Sequence, residues 1–403
     1  SAWRAIRSTT SSTRHRSFSP ASAAMRKQAV RERLCINGAA LFVCFLFACL
    51  YAFLFLSVCP AFVSAAEVSQ AEAVVEVSSG RVLYAHNERR PLPMASTTKI
   101  LTALIVIEEC DLGAVVTVPR AAVGVEGSSV YLKEGEKLTV RDLLYGLMLR
   151  SGNDCALALA LHHSGSVEAF AARMNDRAAA CGAEDSCFCN PHGLPAAGHH
   201  TTALDLARIA AQAVQNETFC EIVSAESYQT SDGSRVFQNK NKMLHLYEGA
   251  DGVKTGYTRE AGRCLVTSAA RSGMRLVCAV LGSPQMYERS AQLLDDCFAA
   301  YKLRPIAEKG QPAFLLPTDV KGKSCRCACD ETCAYPLTDT ECARLHAAVK
   351  LPPRVCLPVR QGQCVGNLQI FLANQLLFSL KIVSIETIDK NILDILREIA
   401  QRN

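Results

Sequence analysis

A serine and a lysine stand three residues apart in the run Met94-Ala95-Ser96-Thr97-Thr98-Lys99, where an apolar segment begins. On a helix, residues i and i+3 lie on one face with their Cβ atoms about 5–6 Å apart. A neutral Lys99 amine at that distance can take the proton from the Ser96 hydroxyl. The pair can therefore act as nucleophile and base without a histidine.

Serine catalysis of this kind also needs a lowered lysine pKa and hydrogen-bond donors for the substrate. The ordinary pKa of a lysine is about 10.4, and burial or a second cation lowers it. The run Asp251-Gly252-Val253-Lys254-Thr255-Gly256 offers Lys254 as that cation, and Gly256 allows close approach to the backbone. The turn Ser151-Gly152-Asn153 adds a hydroxyl for proton relay and an amide for substrate. Each motif alone is unspecific, but together they predict acyl transfer.

The elements that must position these motifs follow from the apolar pattern. Two β-rich runs around Ser78-Ser79-Gly80 predict a hairpin, and a helix from Ser96 is expected to reach Cys110. Thr139 and Asp142 have the spacing of a capping box. Further helices are predicted over 138–149, 153–163, 167–181, 202–215 and 285–301, and strands over 264–269 and 274–281. A first domain is therefore predicted over 67–302, with strands at both ends of the sequence and helices between them.

From Leu303 the composition changes to a Pro-rich, Cys-rich and strand-like pattern. A hairpin is predicted around Ala373-Asn374, and residues 303–385 are expected to form a small all-β domain. In the tail, 386–403, an amphipathic helix is predicted. Its apolar face would hold Ile388, Ile392, Ile395 and Ile399.

Residues 1–66 are interpreted as an N-terminal tail followed by an export leader. The stretch 39–66 is almost uncharged, follows four basic residues, and ends in the small-x-small pattern Val63-Ser64-Ala65. A cleaved signal peptide is the first interpretation. The apolar run exceeds the roughly 18 residues that suggest a spanning helix, so an uncleaved anchor stays open. A lipoprotein site at Cys59 is a weaker alternative. Each of these alternatives predicts an exported protein, in the periplasm or on the outer face of the cytoplasmic membrane.

The leader also explains the net charge of +5. Residues 1–66, the tail and the leader together, hold eight basic residues and one acidic residue, which leaves 35 basic and 37 acidic side chains in the remainder. The remainder has no excess of basic residues for a nucleic-acid surface, so a nucleic-acid partner is not expected.

Cysteine is unusually frequent, with 20 residues, of which 16 follow the leader. Export permits disulfides, and Cys181 with Cys187 or Cys189 is a sequence-close pair. The C-x-C steps of the run from Cys325 to Cys333 do not match common structural zinc sites, so disulfides or inert thiols are favoured over a metal.

The three motifs, in this order, match the signature of penicillin-binding proteins and serine β-lactamases. The chain resembles the low-molecular-weight penicillin-binding proteins, the serine-type D-alanyl-D-alanine carboxypeptidases, most strongly over 67–302. Four stretches carry the resemblance: 95–104, 151–154, 190–207 (without 196–199) and 251–262. The resemblance implies an α/β (α+β) DD-peptidase/β-lactamase-like catalytic domain with an antiparallel sheet flanked by helices, followed by a small all-β domain. It implies no cofactor and no metal.

The resemblance also implies roles for the matching residues. Ser96 would be the acylated nucleophile, and Lys99 its general base and the activator of the deacylating water. Ser151 and Asn153 would serve in proton relay and in binding the substrate amide.

Other matching residues would bind substrate. Lys254, Thr255 and, by position, Arg289 would bind the terminal carboxylate, with Gly256 beside the substrate. Backbone N–H groups of the nucleophile and of Tyr257 would form the oxyanion hole.

Two positions depart from the family pattern, and three histidines invite a catalytic interpretation. Tyr257 stands where His or Phe is also common, and Lys240 stands where an Arg is expected. His192, His199 and His200 are expected to have structural roles, because this chemistry needs no histidine.

The predicted activity is removal of the terminal D-alanine from peptidoglycan stem peptides, with β-lactams as covalent inhibitors. A D,D-endopeptidase that cuts cross-links is the nearest alternative. A β-lactamase and a non-catalytic wall-binding protein are less favoured. Contact with a membrane surface, through the leader or the C-terminal helix, is left open.

Overall fold

The structure, a computed structural model, describes residues 69–394. The predicted tail, leader, cleavage site and anchor lie outside the described residues, as does the C-terminal segment from 395 onward. Among the described residues, no helix is both long and apolar enough to cross a bilayer.

The strands, in chain order, are β1 (Ala71–Glu76), β2 (Val82–His86), β3 (Val115–Thr117), β4 (Lys137–Thr139), β5 (Ser227–Gln229), β6 (Val236–Gln238), β7 (Ala250–Thr258), β8 (Gly262–Arg271), β9 (Met274–Leu281), β10 (Lys302–Ala307), β11 (Phe314–Pro317), β12 (Ser324–Cys329), β13 (Cys333–Leu337), β14 (Leu345–Lys350), β15 (Cys364–Leu372) and β16 (Gln375–Ser384). The helices are α1 (Lys99–Glu109), α2 (Val140–Leu149), α3 (Asn153–Ser164), α4 (Val167–Ala180), α5 (Ala203–Ala213), α6 (Glu217–Ser224), α7 (Met243–Leu246), α8 (Met286–Ala300) and α9 (Asp339–Cys342). Short 3-10 turns lie at Ala95–Thr98 and Arg120–Ala122.

Five antiparallel strands form the central sheet, in the order β2-β1-β9-β8-β7. The strands predicted at the two ends of this part of the chain are present, and the structure adds that they share one sheet, since β1 of the N-terminal hairpin pairs with β9. Helices α1 and α5 pack on one face of the sheet, against Ala71, Ala73 and Val75 of β1. Helix α8 covers the opposite face, where Val74 lies. The antiparallel sheet flanked by helices confirms the predicted fold class.

Helix α1 lies in the centre of the larger core. Its first eight residues, Lys99 to Val106, are all at most 1% exposed. Helix α2 begins at Val140 rather than at the predicted Leu138, because Leu138 pairs with Val116 in the short β3–β4 hairpin. The predicted capping box of Thr139 and Asp142 is present.

The C-terminal region is a second antiparallel sheet, in the order β11-β12-β16-β15-β14, with β10 and β13 forming a two-stranded ribbon. This confirms the predicted small β-rich region. Arg81, in the turn before β2, connects the central sheet to the ribbon and to α9: its guanidinium donates to the Pro336 carbonyl of β13 and to the Glu341 carboxylate.

The prediction for the C-terminal tail is wrong at Ile388. This residue forms an antiparallel bridge with Val359 and packs on the second core, so it cannot belong to a helix face. Residues 392–394 are helical, with Ile392 exposed, and the continuation lies outside the described residues.

All sixteen cysteines of the described part of the chain are free thiols. Cys181 is not bonded to Cys187 or Cys189, and its Sγ accepts a hydrogen bond from Arg177 instead. Cys325 and Cys327 are buried in the second core with their Sγ atoms 3.6 Å apart. Between residues 69 and 394, no three His, Cys, Asp or Glu side chains are grouped in a way that would hold a metal ion.

Candidate active site

Ser96 and Lys99 lie at the start of the most buried helix. Ser96 belongs to the 3-10 turn that leads into α1, and Lys99 is the first residue of α1. The Lys99 Nζ lies 2.9 Å from the Ser96 Oγ. The i, i+3 spacing therefore produces direct contact between the predicted nucleophile and its base.

The other contacts of Lys99 are hydrogen-bond acceptors. Its Nζ donates to Asn153 Oδ1 at 2.7 Å and to the His192 carbonyl at 2.6 Å. A neutral lysine amine has two N–H donors and one lone pair. Because both donors have acceptors, the lone pair is left for the Ser96 hydroxyl proton, which is the orientation a general base requires.

Burial and charge favour the neutral form of Lys99. Complete burial, and then the nearby Lys254 cation, hold the pKa of Lys99 well below its ordinary value. Burial, and then Lys240, lower the pKa of Lys254 to about 7. Burial and Arg150 lower the pKa of Lys240 as well. Lys254 thus contributes to the low pKa of Lys99 as the sequence predicts, although burial is the larger cause.

Strand β7 brings the predicted Lys-Thr-Gly run against the nucleophile. A Cβ at Gly256 would lie 3.0 Å from the Ser96 backbone nitrogen and 3.1 Å from the Met94 carbonyl. Only a residue without a side chain fits there without displacing the turn. Thr255 is half-buried and Tyr257 is exposed, so both can reach a ligand outside this edge strand.

The Ser151-Gly152-Asn153 run forms the turn between α2 and α3. Ser151 has a left-handed φ of +65° and is buried, and Asn153 is the first residue of α3. A Cβ at Gly152 would lie 2.7 Å from a carboxylate oxygen of Asp154, so this glycine leaves room for that side chain. The turn is what places the Asn153 amide beside Lys99.

A loop at 190–194 supports the nucleophile from the other side. Gly193, with φ +88°, passes so close that a Cβ would lie 1.8 Å from the Ala95 carbonyl oxygen. Asn190 Oδ1 accepts from the Gly193 N–H at 2.7 Å, and Thr102 donates to the Pro191 carbonyl at 2.7 Å. These contacts fix the His192 carbonyl that binds Lys99.

His192 and His199 act through their positions in this region rather than as bases. His199 Nδ1 accepts from the Cys189 N–H at 3.0 Å, so its Nε2–H donates to Thr98 Oγ1, also at 3.0 Å. Burial lowers the pKa of His199 to about 4, and burial followed by Lys99 does the same for His192. Both are therefore neutral near pH 7. His200 lies at a bridge to Cys187.

Arg289 is not brought together with the other predicted residues. It lies on α8, where its guanidinium binds Glu72 of β1 with two hydrogen bonds of 2.7 Å and donates to the Tyr84 hydroxyl at 3.0 Å. Helix α8 covers the face opposite α1, and β1 is three strands, or about 14 Å, from β7. Sequence position alone suggested a carboxylate ligand; the buried Glu72, whose charge needs a partner, explains the actual placement.

Three contributors were missed by sequence reasoning. Asp154, Arg235 and the Glu126 carbonyl hold Asn153 and the loop beside it. Asp154 directly follows the Ser-Gly-Asn run, so the sequence does show a charged residue next to a candidate site. Nothing in the sequence around Arg235 or Glu126 indicates their contacts.

The arrangement is suited to acyl transfer. It combines a serine hydroxyl, a neutral buried amine in contact with it, an amide, and a second lysine on an edge strand. The imidazoles of His192 and His199 each accept a backbone N–H at Nδ1, from Leu194 and Cys189 respectively, which is a structural arrangement.

Comparison with known proteins agrees with this chemistry. The model of the Peptidase_S11 family, D-alanyl-D-alanine carboxypeptidase, matches residues 61–285. The chain is 32% identical over 319 residues to the D-alanyl-D-alanine carboxypeptidase DacF of Bacillus subtilis, covering 75% of this chain and 81% of that protein. It is 30% identical to DacC of Escherichia coli, covering 84% and 90% of the two chains.

A solved structure with the same fold is penicillin binding protein 5 from Haemophilus influenzae. It aligns with a TM-score of 0.68 and 26% identity, covering 80% of this chain and 98% of that one. The family match spans more than half of the chain and includes every motif that meets at Ser96. The chain therefore belongs to the D-alanyl-D-alanine carboxypeptidase family and is a serine-type carboxypeptidase.

Proposed function

We propose that the protein removes the terminal D-alanine of peptidoglycan stem peptides through an acyl-enzyme on Ser96. The observation that carries this proposal is the 2.9 Å contact between Ser96 Oγ and a fully buried Lys99 amine whose two donors already have acceptors. In the free enzyme, the lone pair of that amine therefore faces the Ser96 hydroxyl.

In the first step, Lys99 Nζ takes the Ser96 proton as Oγ attacks the carbonyl carbon of the penultimate D-alanine. Backbone N–H groups of Ser96 and Tyr257 stabilise the oxyanion. The C–N bond then breaks, and the leaving amine receives the proton from Lys99 through the Ser151 hydroxyl. Free D-alanine departs, and the peptide remains esterified to Ser96.

In the second step, Lys99 takes a proton from water, and the hydroxide attacks the ester carbonyl. The Ser96 oxygen leaves and is reprotonated by Lys99, which restores the enzyme. Asn153 binds the substrate amide, while Lys254 and Thr255 bind the terminal carboxylate beside Gly256. A β-lactam carries a carboxylate and an amide in a similar relation, and its ring opening would acylate the same serine.

The substrate class implies a place outside the cytoplasm. We propose export to the periplasm or the outer face of the cytoplasmic membrane, guided by the apolar N-terminal leader, and a role in cell-wall maturation. Attachment to a membrane surface through the leader or the C-terminal tail is part of the proposal.

Mass spectrometry of the penicillin-treated protein tests the acyl-enzyme. One penicillin adduct on the peptide containing Ser96 is expected, and Ser96→Ala should lose it. Ser234→Ala, at an exposed turn, is the matched control and should keep the adduct. A covalent adduct on Ser96→Ala would overturn the assignment.

The substrate is tested by comparing a free pentapeptide with cross-linked muropeptides. Release of D-alanine from the pentapeptide is expected. Preferential cleavage of the cross-linked substrate would instead assign the D,D-endopeptidase activity, and turnover of a chromogenic β-lactam would assign a β-lactamase.

A further inference from the structure

The loop 126–132 beside the active site has an irregular backbone that is held by side chains. Residues 126–132 belong to neither a helix nor a strand. Several of the backbone groups of this loop bind charged side chains instead, so the position of the loop depends on those charges.

Asp154 supplies acceptors for this loop. It is 1% exposed and accepts from the Val130 N–H at 3.1 Å, the Leu132 N–H at 3.1 Å and the Ser129 hydroxyl at 2.6 Å. The Cys155 N–H, at 3.0 Å, is a fourth neutral donor, so this buried carboxylate is well satisfied. It ties the loop to the first turn of α3.

Arg235 supplies donors for the same loop. From the hairpin β5–β6 it donates to the Val130 carbonyl at 2.5 Å and to the Tyr131 carbonyl at 3.1 Å. Glu136 fixes the guanidinium with two hydrogen bonds of 2.8 and 2.9 Å. The loop is therefore held from both kinds of backbone group: its N–H groups bind the Asp154 carboxylate, and its carbonyls bind the Arg235 guanidinium.

The held loop in turn fixes Asn153. The Asn153 Nδ2 donates to the Glu126 carbonyl at 2.5 Å, and the Asn153 backbone N–H donates to the Ser128 carbonyl at 2.7 Å. A carbonyl can only accept, so the amide nitrogen must face the loop and the amide oxygen must face Lys99.

The opposite orientation of the amide would harm catalysis. An Asn153 rotated by 180° would point Nδ2–H at the Lys99 amine and donate into its lone pair. The lone pair would then be unavailable for the Ser96 proton.

We propose that Asp154, together with Arg235, is a positioning residue for the reaction: by fixing the loop 126–132 it keeps the Asn153 oxygen on Lys99. The proposal rests on the Ser96 acyl-enzyme mechanism proposed above. The hydrogen bonds of Asp154 go to the loop and to Cys155, so it orients the base through the loop and the amide, while its charge also acts on Lys99 directly.

The charges around Lys99 determine how a change at Asp154 alters the pH dependence. Lys254 faces it from β7, Lys240 from the segment before α7, and His192 from the loop at 190–194; Asp154 and Cys155 face it from α3. Asp154 raises the pKa of Lys99 and the two lysines lower it. Loss of the Asp154 charge therefore lowers the pKa of Lys99, and rotation of the amide has the same effect.

The test measures the rate constant of penicillin acylation against pH for the full chain. Asp154→Asn keeps the side-chain volume but replaces one acceptor oxygen with a donor. We expect the plateau rate to fall about tenfold or more, because the reacting groups lose their orientation. The acid limb, the part of the profile in which the rate rises with pH as Lys99 loses its proton, should move to lower pH. Arg235→Lys keeps the charge but loses the forked donor geometry, and should lower the plateau with a smaller shift of the limb.

Glu76→Gln is the matched control. Glu76 is also 1% exposed and holds an irregular turn through the Ser78 and Ser79 N–H groups, but at the β1–β2 edge of the sheet, away from β7. It should lower the thermal midpoint without changing acylation. An unchanged pH profile in both Asp154→Asn and Arg235→Lys would overturn the inference, as would an equal loss in Glu76→Gln.

Arg235→Lys keeps the test decisive if Asp154→Asn does not fold. A wild-type protein that is not acylated at Ser96 would refute the proposed function. Normal acylation of wild type and of the folded variants would refute the positioning role alone.

Discussion

Substitution of Gly193 by alanine should separate backbone strain from steric displacement of the nucleophile. At φ +88°, an alanine is strained by about 1–2 kcal/mol. Its Cβ would also lie 1.8 Å from the Ala95 carbonyl oxygen, which is about 1.6 Å short of the ordinary contact of 3.4 Å. Either the 190–194 loop or the Ser96 turn must therefore move.

The expected magnitude follows from these two effects. Overpacking a tight site typically costs about 1–3 kcal/mol, so together with the strain we expect Gly193→Ala to destabilise the protein by about 2–5 kcal/mol. The thermal midpoint should fall by at least about 4 °C. Because a shift of about 1 Å between reacting groups lowers rates about 100-fold, acylation by penicillin should fall by that order in the remaining folded protein.

The assay combines thermal unfolding with single-turnover acylation, and two other glycines serve as controls. Gly80 has φ +68° with nothing within 4 Å of an added Cβ, so Gly80→Ala should show the strain alone, with normal acylation. In Gly256→Ala, where the contact with Ser96 is 3.0 Å, a smaller loss of stability should accompany impaired acylation. The reasoning is refuted if Gly193→Ala is no less stable than Gly80→Ala and reacts at the wild-type rate.

Two further substitutions test the charges of the site. Lys254→Met removes the cation that lowers the pKa of Lys99; since the base must be deprotonated, the acid limb of acylation should move to higher pH, and by more than in Lys240→Met. A limb that stays fixed in pH–rate measurements would contradict this role. Arg289→Gln leaves the buried Glu72 carboxylate without its bidentate partner and should destabilise by about 2 kcal/mol, measured by denaturant unfolding. Its KM for a D-Ala-D-Ala peptide should stay within about twofold of wild type, and a tenfold rise would restore Arg289 as a carboxylate ligand.

Much of the catalytic core follows from local sequence rules. The i, i+3 relation of Ser96 and Lys99 needs only a helical turn, and the capping box of Thr139 and Asp142 needs only four consecutive residues. The β1–β2 hairpin is likewise defined by its own turn. In each case the interacting groups are close in sequence, so the local sequence pattern is sufficient to predict the contact.

Contacts between distant residues were not predictable in the same way. Arg289 and Glu72 are 217 residues apart, and Arg235 binds a carbonyl 105 residues away. The pattern at Ile388 fits a helix face equally well, but a bridge to Val359 determines its conformation. A periodic apolar pattern does not reveal which distant backbone is available for pairing.

The low pKa of Lys254 has a consequence for ligand capture. At pH near 7 this amine is only partly protonated, and an incoming carboxylate stabilises its charged form. Binding of an anionic ligand is then coupled to the uptake of a proton. Binding of a carboxylate favours the charged form of Lys254, whereas proton transfer from Ser96 requires the uncharged form of Lys99. The charge on Lys254 lowers the pKa of Lys99 and so favours that uncharged form. In the proposed mechanism, one protonation therefore serves both requirements, because the Lys254 cation that would attract the substrate carboxylate also disfavours a second cation at Lys99.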